Sequence, residues 1–359
     1  MGHFRREMWA VNIKTASSKS PSGLVKVRRD ASVLFRKVRV KLSYRLGKTH
    51  VSVLPQSIDI EPVNACNFSC PHCQVTHWNK KRETLGQTEF ESVLGQIPGV
   101  RKVKLQGMGE PLLNKAFPQM LKAADDRSIE TSFISNGSVM TPKVVDQLLD
   151  LENADVTFSI DGATAETFEK IRVGGKFDNV VGNVHRLVDA RDERGSPFKI
   201  SVWTVVTKLN VDELNEIVEL VYSLGVDELV FQVFLSDWGK DEMKSEADEK
   251  RLVLDSATNT KLESAKALAA TLSLPFEIHR GNLLTKSKKC SWPWDSSFIA
   301  SNGDVVPCCI IADSDTAKMG NVFETDFAEI WNGQPYQELR QRISDHDLPD
   351  YCKNCYGAE

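Results

Sequence analysis

No stretch of this 359-residue chain approaches the roughly 20 consecutive apolar residues of a membrane span. The N-terminus also lacks the apolar core of a secretory signal, so the expected compartment is cytoplasmic. Acidic residues are nearly missing from residues 1–50, where Glu7 and Asp30 stand against 13 Lys/Arg. That segment is therefore +11, and the rest must sum to −15 to give the formal net charge of −4. An acidic body argues against nucleic acid as a partner. Cysteine is absent between Cys73 and Cys290, so the eight cysteines form two groups: Cys66, Cys70 and Cys73, then Cys290, Cys308, Cys309, Cys352 and Cys355. Clustered cysteines in a cytoplasmic chain point to metal rather than disulfides. With 41% hydrophobic residues the chain has enough apolar material for a large core, which excludes global disorder.

What is present reads as three regions. Residues 1–50 form a basic N-terminal extension. In it Leu34, Val38, Leu42 and Leu46 recur at helical spacing between Arg36, Lys37, Arg39 and Lys41, which predicts an amphipathic helix. The plainer reading docks this helix on the body with its charged face in water. The sharper one is contact with an anionic surface such as a membrane. Over residues 55–275, strand patterns at 57–61, 101–106, 129–134, 155–160, 198–206 and 227–235 are each followed by a helical pattern, at 88–97, 115–125, 141–151, 177–194, 211–224 and 246–273. Six β/α units predict an α/β fold, a partial (β/α)6 TIM-type barrel. Residues 288–359 are rich in Cys, Trp, Pro, Gly and Asp and read as a small cysteine-rich, metal-stapled domain, too poor in apolar residues to hold itself without metal.

Cys66, Cys70 and Cys73 are spaced C-x3-C-x2-C just after the first strand. A [4Fe–4S] cubane normally takes four cysteines, so three leave one iron open, as a catalytic site requires. A Cys3His zinc site with His72 or His77 and a cluster with a distant fourth ligand are the alternatives. His72 lies between two of the cysteines and is poorly placed to join them on one metal.

This motif resembles the signature of the radical S-adenosylmethionine (radical SAM) enzymes. The resemblance implies that Cys66, Cys70 and Cys73 hold a [4Fe–4S] cluster whose open iron binds SAM. One-electron cleavage of SAM then gives a 5′-deoxyadenosyl radical that takes a hydrogen atom from substrate. His72 stands where the family has a larger apolar or aromatic residue near the adenine. Gly107-Met108-Gly109-Glu110-Pro111 resembles the Gly-Gly-Glu motif, with Glu110 accepting from the SAM ammonium. Ser135-Asn136-Gly137 and Ser159-Ile160-Asp161-Gly162 resemble the positions that contact ribose and methionine, and Arg172 the arginine at the SAM carboxylate. Alone, each is an ordinary turn or helix-end residue. Trp203, Gln232, Phe234 and Trp238 are candidates for the wall of a substrate cavity, and Gln232, Asp237 and Asp295 for its polar contacts.

For the second cysteine group a zinc ribbon is the structural alternative, since C-x2-C spacing suits both. The surrounding Asn302-Gly303-Asp304-Val305, Pro307-Cys308-Cys309, Met319-Gly320-Asn321 and Ile330-Trp331-Asn332 are similar to the SPASM or twitch domain of many radical SAM enzymes. That resemblance implies a second, auxiliary [4Fe–4S] cluster, read here on Cys290, Cys308, Cys352 and Cys355. Cys309 replaces Cys308 or is free, in which case it is a candidate hydrogen donor.

Together these features imply a radical SAM oxidoreductase drawing electrons from a donor such as flavodoxin or ferredoxin. The leading expectation is oxidation of a small molecule such as a sugar or cyclitol, because residues 1–50 look too short for a leader-binding domain. A peptide-modifying maturase and a radical epimerase are the alternatives, and a structural iron–sulfur or zinc protein is the non-enzyme one.

Overall fold

The computed structural model describes residues 35–235, 241–280, 289–353 and 355. Its body is a ten-stranded sheet in the order β10-β9-β8-β1-β2-β3-β4-β5-β6-β7. Strands β1 (Ser57–Ile60), β2 (Lys102–Lys104), β3 (Glu130–Ser135), β4 (Ala154–Ser159), β5 (Lys199–Val205), β6 (Glu228–Gln232) and β7 (Phe276–His279) are all parallel to their neighbours. Between them run α2 (Gln87–Gln96), α3 (Phe117–Asp125), α4 (Pro142–Leu149), α5 (Ala165–Ile171), α6 (Phe177–Arg194), α7 (Leu214–Ser223), α8 (Asp241–Lys250) and α9 (Ser256–Thr271). This is the expected parallel barrel type, with one strand more than the six units read from sequence. The long helix expected over 246–273 is two helices. The Asp255 carboxylate accepts from the Thr258 amide at 2.8 Å and starts α9 afresh.

Strand alternation explains where the core sits. Ile58, Val103, Phe133, Val156, Ile200 and Leu229 are buried in the apolar core. The intervening residues differ in character. Asp59, Lys104, Ser132, Asp155 and Lys199 follow one register row across five strands. The face opposite the apolar core is therefore polar, which suits a cavity rather than a packed interior.

From residue 289 the chain forms α10 (Trp292–Asp295), β8 (Phe298–Ile299), β9 (Asp304–Val306), β10 (Gly320–Asn321), α11 (Phe327–Trp331) and α12 (Gln334–Ser344). Strand β8 pairs in parallel with β1, and β9 and β10 continue the sheet antiparallel. Contrary to the apolar poverty expected here, Trp294, Phe298, Trp331 and Tyr336 are all buried. Most of this core is continuous with that of the barrel. The Arg340 guanidinium lies over Trp331 and Tyr336, 4.5 and 5.0 Å from the ring centres, and donates to the Pro293 and Thr49 carbonyls at 2.7 Å. The region gains its packing by leaning on β1 and on residues 44–53.

Helix α1 (residues 35–45) confirms the amphipathic prediction but overturns the docking direction. Arg36 donates to the Pro98 carbonyl, Tyr44 to the Lys289 carbonyl at 2.7 Å, and the Tyr44 ring meets Trp294 edge-on at 5.7 Å. Val38, Leu42 and Leu46, the stripe expected to dock, point to water instead. Leu34 lies outside the described residues.

Candidate active site

The loop that leaves β1 carries the first three cysteines, closed by a turn in which the Cys73 amide donates to the Cys70 carbonyl. They line a cavity of about 250 Å³ together with the loop after β2, the end of β3, Ser159 and Arg172. Phe298, Cys309 and Ile310 from the C-terminal region complete the lining. Of the expected cofactor contacts, Gly107, Gly109, Glu110, Ser135, Asn136, Ser159 and Arg172 meet here. His72 and Asp161 do not reach the wall.

Gly109 is required by sterics. A Cβ there would stand 2.2 Å from the Val63 carbonyl oxygen and 2.6 Å from that of Ala65. The Glu110 amide donates to the Ala65 carbonyl at 3.0 Å, locking the β2 loop against the cysteine loop. The Glu110 side chain is 2% exposed and accepts from the Leu112 amide, the Ser135 hydroxyl and the Asn136 amide at 2.6–3.1 Å. Burial pushes its carboxyl up to about 7 despite those donors.

Asp161 is a positioning residue. Fully buried, it accepts from Arg172 Nε at 2.5 Å and from the Val205 amide at 2.8 Å. The pair aims the guanidinium at the cavity, beside Cys70. Burial, reinforced by Arg172, pushes the His72 imidazole down to about 4, which favours its neutral form.

The cysteine environment fits a thiolate-held cluster. Cys66 Sγ accepts from the Phe68 amide at 3.4 Å and the Asn136 side-chain amide at 3.7 Å. Burial pushes the Cys73 thiol up to about 12, so only a metal would draw off its proton. Among the described residues no three His, Cys, Asp or Glu are grouped to hold a single metal ion. A cubane makes a different demand, because each cysteine meets a separate iron.

The second group assembles from loops far apart in sequence. Cys290, Cys308, Cys352 and Cys355 are near enough that their charges raise one another's pKa, after burial as the main cause. The Trp292 amide at Cys290, and the Ile310 and Ile311 amides at Cys308, partly offset that rise. Cys309 takes the other direction. It packs on the cluster of Phe298, Ala300, Val306 and Ala312 and lines the first cavity. Asp295 lies beside Cys290 rather than in that cavity, its carboxyl pushed up to about 6 by burial. Trp203, Gln232 and Phe234 do not line the cavity, while Asp237 and Trp238 lie outside the described residues.

Two acids escaped the sequence reading. Glu61, 1% exposed, accepts from the Met108 amide at 3.0 Å and the Ser301 hydroxyl at 3.1 Å, joining the β2 loop to the C-terminal region. Asp59 is 2% exposed, and its Oδ2 has no hydrogen-bond partner. Its charge is felt at Cys309. Burial pushes its carboxyl up to about 6, partly offset by Lys104 and Lys102. The signal was the alternation of Ser57-Ile58-Asp59-Ile60-Glu61, with acids on the face opposite the two isoleucines.

Residues 60–221 match the sequence model of the radical SAM superfamily, and residues 290–356 that of the SPASM iron–sulfur cluster-binding domain. An AdoMet-dependent heme synthase from Methanosarcina barkeri is 25% identical over 332 residues, covering 85% of this chain and 91% of the relative. A PqqA peptide cyclase from Xanthomonas euvesicatoria is 24% identical over 316 residues, covering 85% and 81%. In fold the chain is similar to Streptococcus suis SuiB crystallised with its precursor peptide SuiA. The TM-score is 0.66 at 18% identity, covering 93% of this chain and 74% of SuiB.

Proposed function

Because the chain belongs to the radical SAM superfamily and ends in a SPASM domain, we propose that it modifies a peptide. The radical SAM domain implies a [4Fe–4S] cluster and SAM, and the SPASM domain implies additional iron–sulfur clusters. When bound, the first cluster and SAM supply a 5′-deoxyadenosyl radical that takes a hydrogen atom from substrate.

The chain's own residues have separate tasks in this reading. Cys66, Cys70 and Cys73 hold the first cluster, with Asn136 donating to Cys66 sulfur. Glu110 Oε2 accepts from the Asn136 amide and has capacity left for the SAM ammonium. Arg172, steadied by Asp161, meets the SAM carboxylate, and Ser135 and Ser159 the ribose side. Cys290, Cys308, Cys352 and Cys355 hold the auxiliary cluster. Electrons come from a small donor protein such as flavodoxin or ferredoxin.

The observation carrying the peptide reading is the match to a peptide cyclase over 85% of the chain. A peptide is favoured over the sugar or cyclitol expected from sequence, and the likeness to a peptide-bound SuiB agrees. The test uses extracts of the source cells grown in deuterated medium, split into peptide and small-molecule fractions. Reconstituted enzyme with SAM and dithionite should yield deuterated 5′-deoxyadenosine from the peptide fraction, and protease treatment should abolish it. Deuterium arriving only from the small-molecule fraction would overturn the reading.

The place of Cys309 favours a second reading of the outcome. In that reading its thiol gives a hydrogen atom to the substrate carbon on the face away from the 5′-deoxyadenosyl group, inverting that centre. The resulting thiyl radical regains one electron from the donor protein and one proton. In heavy water such a product gains one deuterium, whereas an oxidised product loses two hydrogens.

A further inference from the structure

Helix α1 turns its apolar stripe away from the body. Phe35, Val38, Leu42 and Leu46 follow i, i+3, i+7, i+11 spacing and are 60%, 55%, 50% and 62% exposed. The opposite face is already occupied, by Arg36 on Pro98 and by Tyr44 on Lys289 and Trp294. Among the described residues the stripe is thus an unpartnered face on an anchored helix. Residues 35–45 contain Arg36, Lys37, Arg39, Lys41 and Arg45 and no acid. Lys37, Lys41 and Arg45 are exposed, and the Arg39 guanidinium lies 5.4 Å from the Phe35 ring centre.

We propose that this helix lies in the headgroup region of an anionic lipid bilayer, with Phe35, Val38, Leu42 and Leu46 inserted and the flanking cations at the phosphates. Three observations favour a bilayer over other occupants. A symmetric pairing of two copies along this stripe would bring Lys37, Arg39, Lys41 and Arg45 of each together, eight like charges with no acid on either helix. A polyanion such as RNA would meet the cations but leave the stripe in water. A bilayer satisfies both, since interfacial helices combine an apolar stripe with a Lys/Arg-rich border. The charge asymmetry orients the contact, because residues 1–50 are +11 and the rest is −15. Among the described residues no helix is long and apolar enough to cross a membrane, so the contact is peripheral.

The orientation would pass to the catalytic body. Residues 48–53 are pinned to the C-terminal region by Trp294 Nε1 on the Lys48 carbonyl at 2.8 Å, Arg340 on Thr49, and Trp331 Nε1 on the Val53 carbonyl at 3.2 Å. A bilayer holding α1 would therefore hold the auxiliary site at a fixed height above the lipid.

The test is sedimentation of the full, cluster-reconstituted chain with vesicles of phosphatidylcholine alone or mixed equally with phosphatidylglycerol. Partition into the anionic vesicles should exceed that into neutral ones by about tenfold or more and fall with added salt. Leu42→Glu should lower it by about tenfold or more, since a buried leucine is replaced by a charge. SAM cleavage in solution should be unchanged, because Leu42 touches neither cysteine site. Equal binding to both vesicles, or no binding, would overturn the proposal. So would light scattering that shows a dimer which Leu42→Glu converts to monomer, since the stripe would then belong to a second copy.

Discussion

The two cysteine sites use the same atoms for different ends. The first places three thiols from one eight-residue loop beside a cavity walled by glycine, a buried carboxyl and an arginine. The second draws four thiols from loops up to 65 residues apart in sequence, among buried tryptophans and tyrosine. An open coordination site needs neighbouring groups that receive a ligand, and the first set has them in Glu110, Ser135 and Arg172. In the proposed reading a fourth thiol closes the second set, which suits holding and passing electrons. The chain joins the two at Cys308-Cys309, where one cysteine faces each site.

The strongest way to break this contrast is Cys70→Ala. SAM cleavage should fall below detection while about four iron atoms per chain remain at the auxiliary site. Retained cleavage would remove the catalytic role of the first set. Cys308→Ser and Cys309→Ser sharpen the division between neighbours. Iron analysis should show the first losing about four iron atoms and the second none, with Cys309→Ser altering only product formation. Equal iron loss in both would mean that Cys309 is also a ligand.

A smaller effect is expected from Gly109→Ala. Its methyl would press on the Val63 and Ala65 backbone, costing about 3 kcal/mol and weakening SAM binding with both clusters still loaded. Calorimetric SAM affinity should show a drop of tenfold or more, and an unchanged affinity would mean that the loop has room. Asp59→Asn should have the mildest effect. The native carboxyl titrates near 6 when folded and near 4 when unfolded, so the unfolded chain binds fewer protons between those values. Stability contributed by the neutral form is present below about pH 4 and lost as pH rises to about 6. The variant should therefore gain about 1–2 kcal/mol over the native chain at pH 7 and little at pH 4, less than the full shift because its amide is also unpartnered. Urea midpoints at the two pH values measure this, and equal gains at both would contradict it.

Much of the active site was legible because its residues lie close together in sequence. Cys66, Cys70 and Cys73 share one loop, Gly107–Glu110 share another, and both follow strands with clear apolar patterns. Arg172 could be named, but its ion pair with Asp161 could not, since Asp161 reads from sequence as a direct cofactor contact after β4. Asp59 and Glu61 were passed over because an acid in a short strand reads as solvent-facing until the partner strands fix which face is the lumen. The pairing of β8 with β1 is separated by more than 230 residues, and no local pattern announces it. For α1 the period was correct, yet the docked face is set by Arg36 and Tyr44, whose partners lie at Pro98, Lys289 and Trp294.

The most direct test compares electron paramagnetic resonance of the reduced protein with and without SAM, in the native chain and in one with Cys66, Cys70 and Cys73 all replaced by alanine. The account predicts two overlapping cluster signals in the native chain, one of which shifts on SAM addition, and a single SAM-insensitive signal in the variant. A SAM-induced shift that survives in the variant, or none in the native chain, would contradict it.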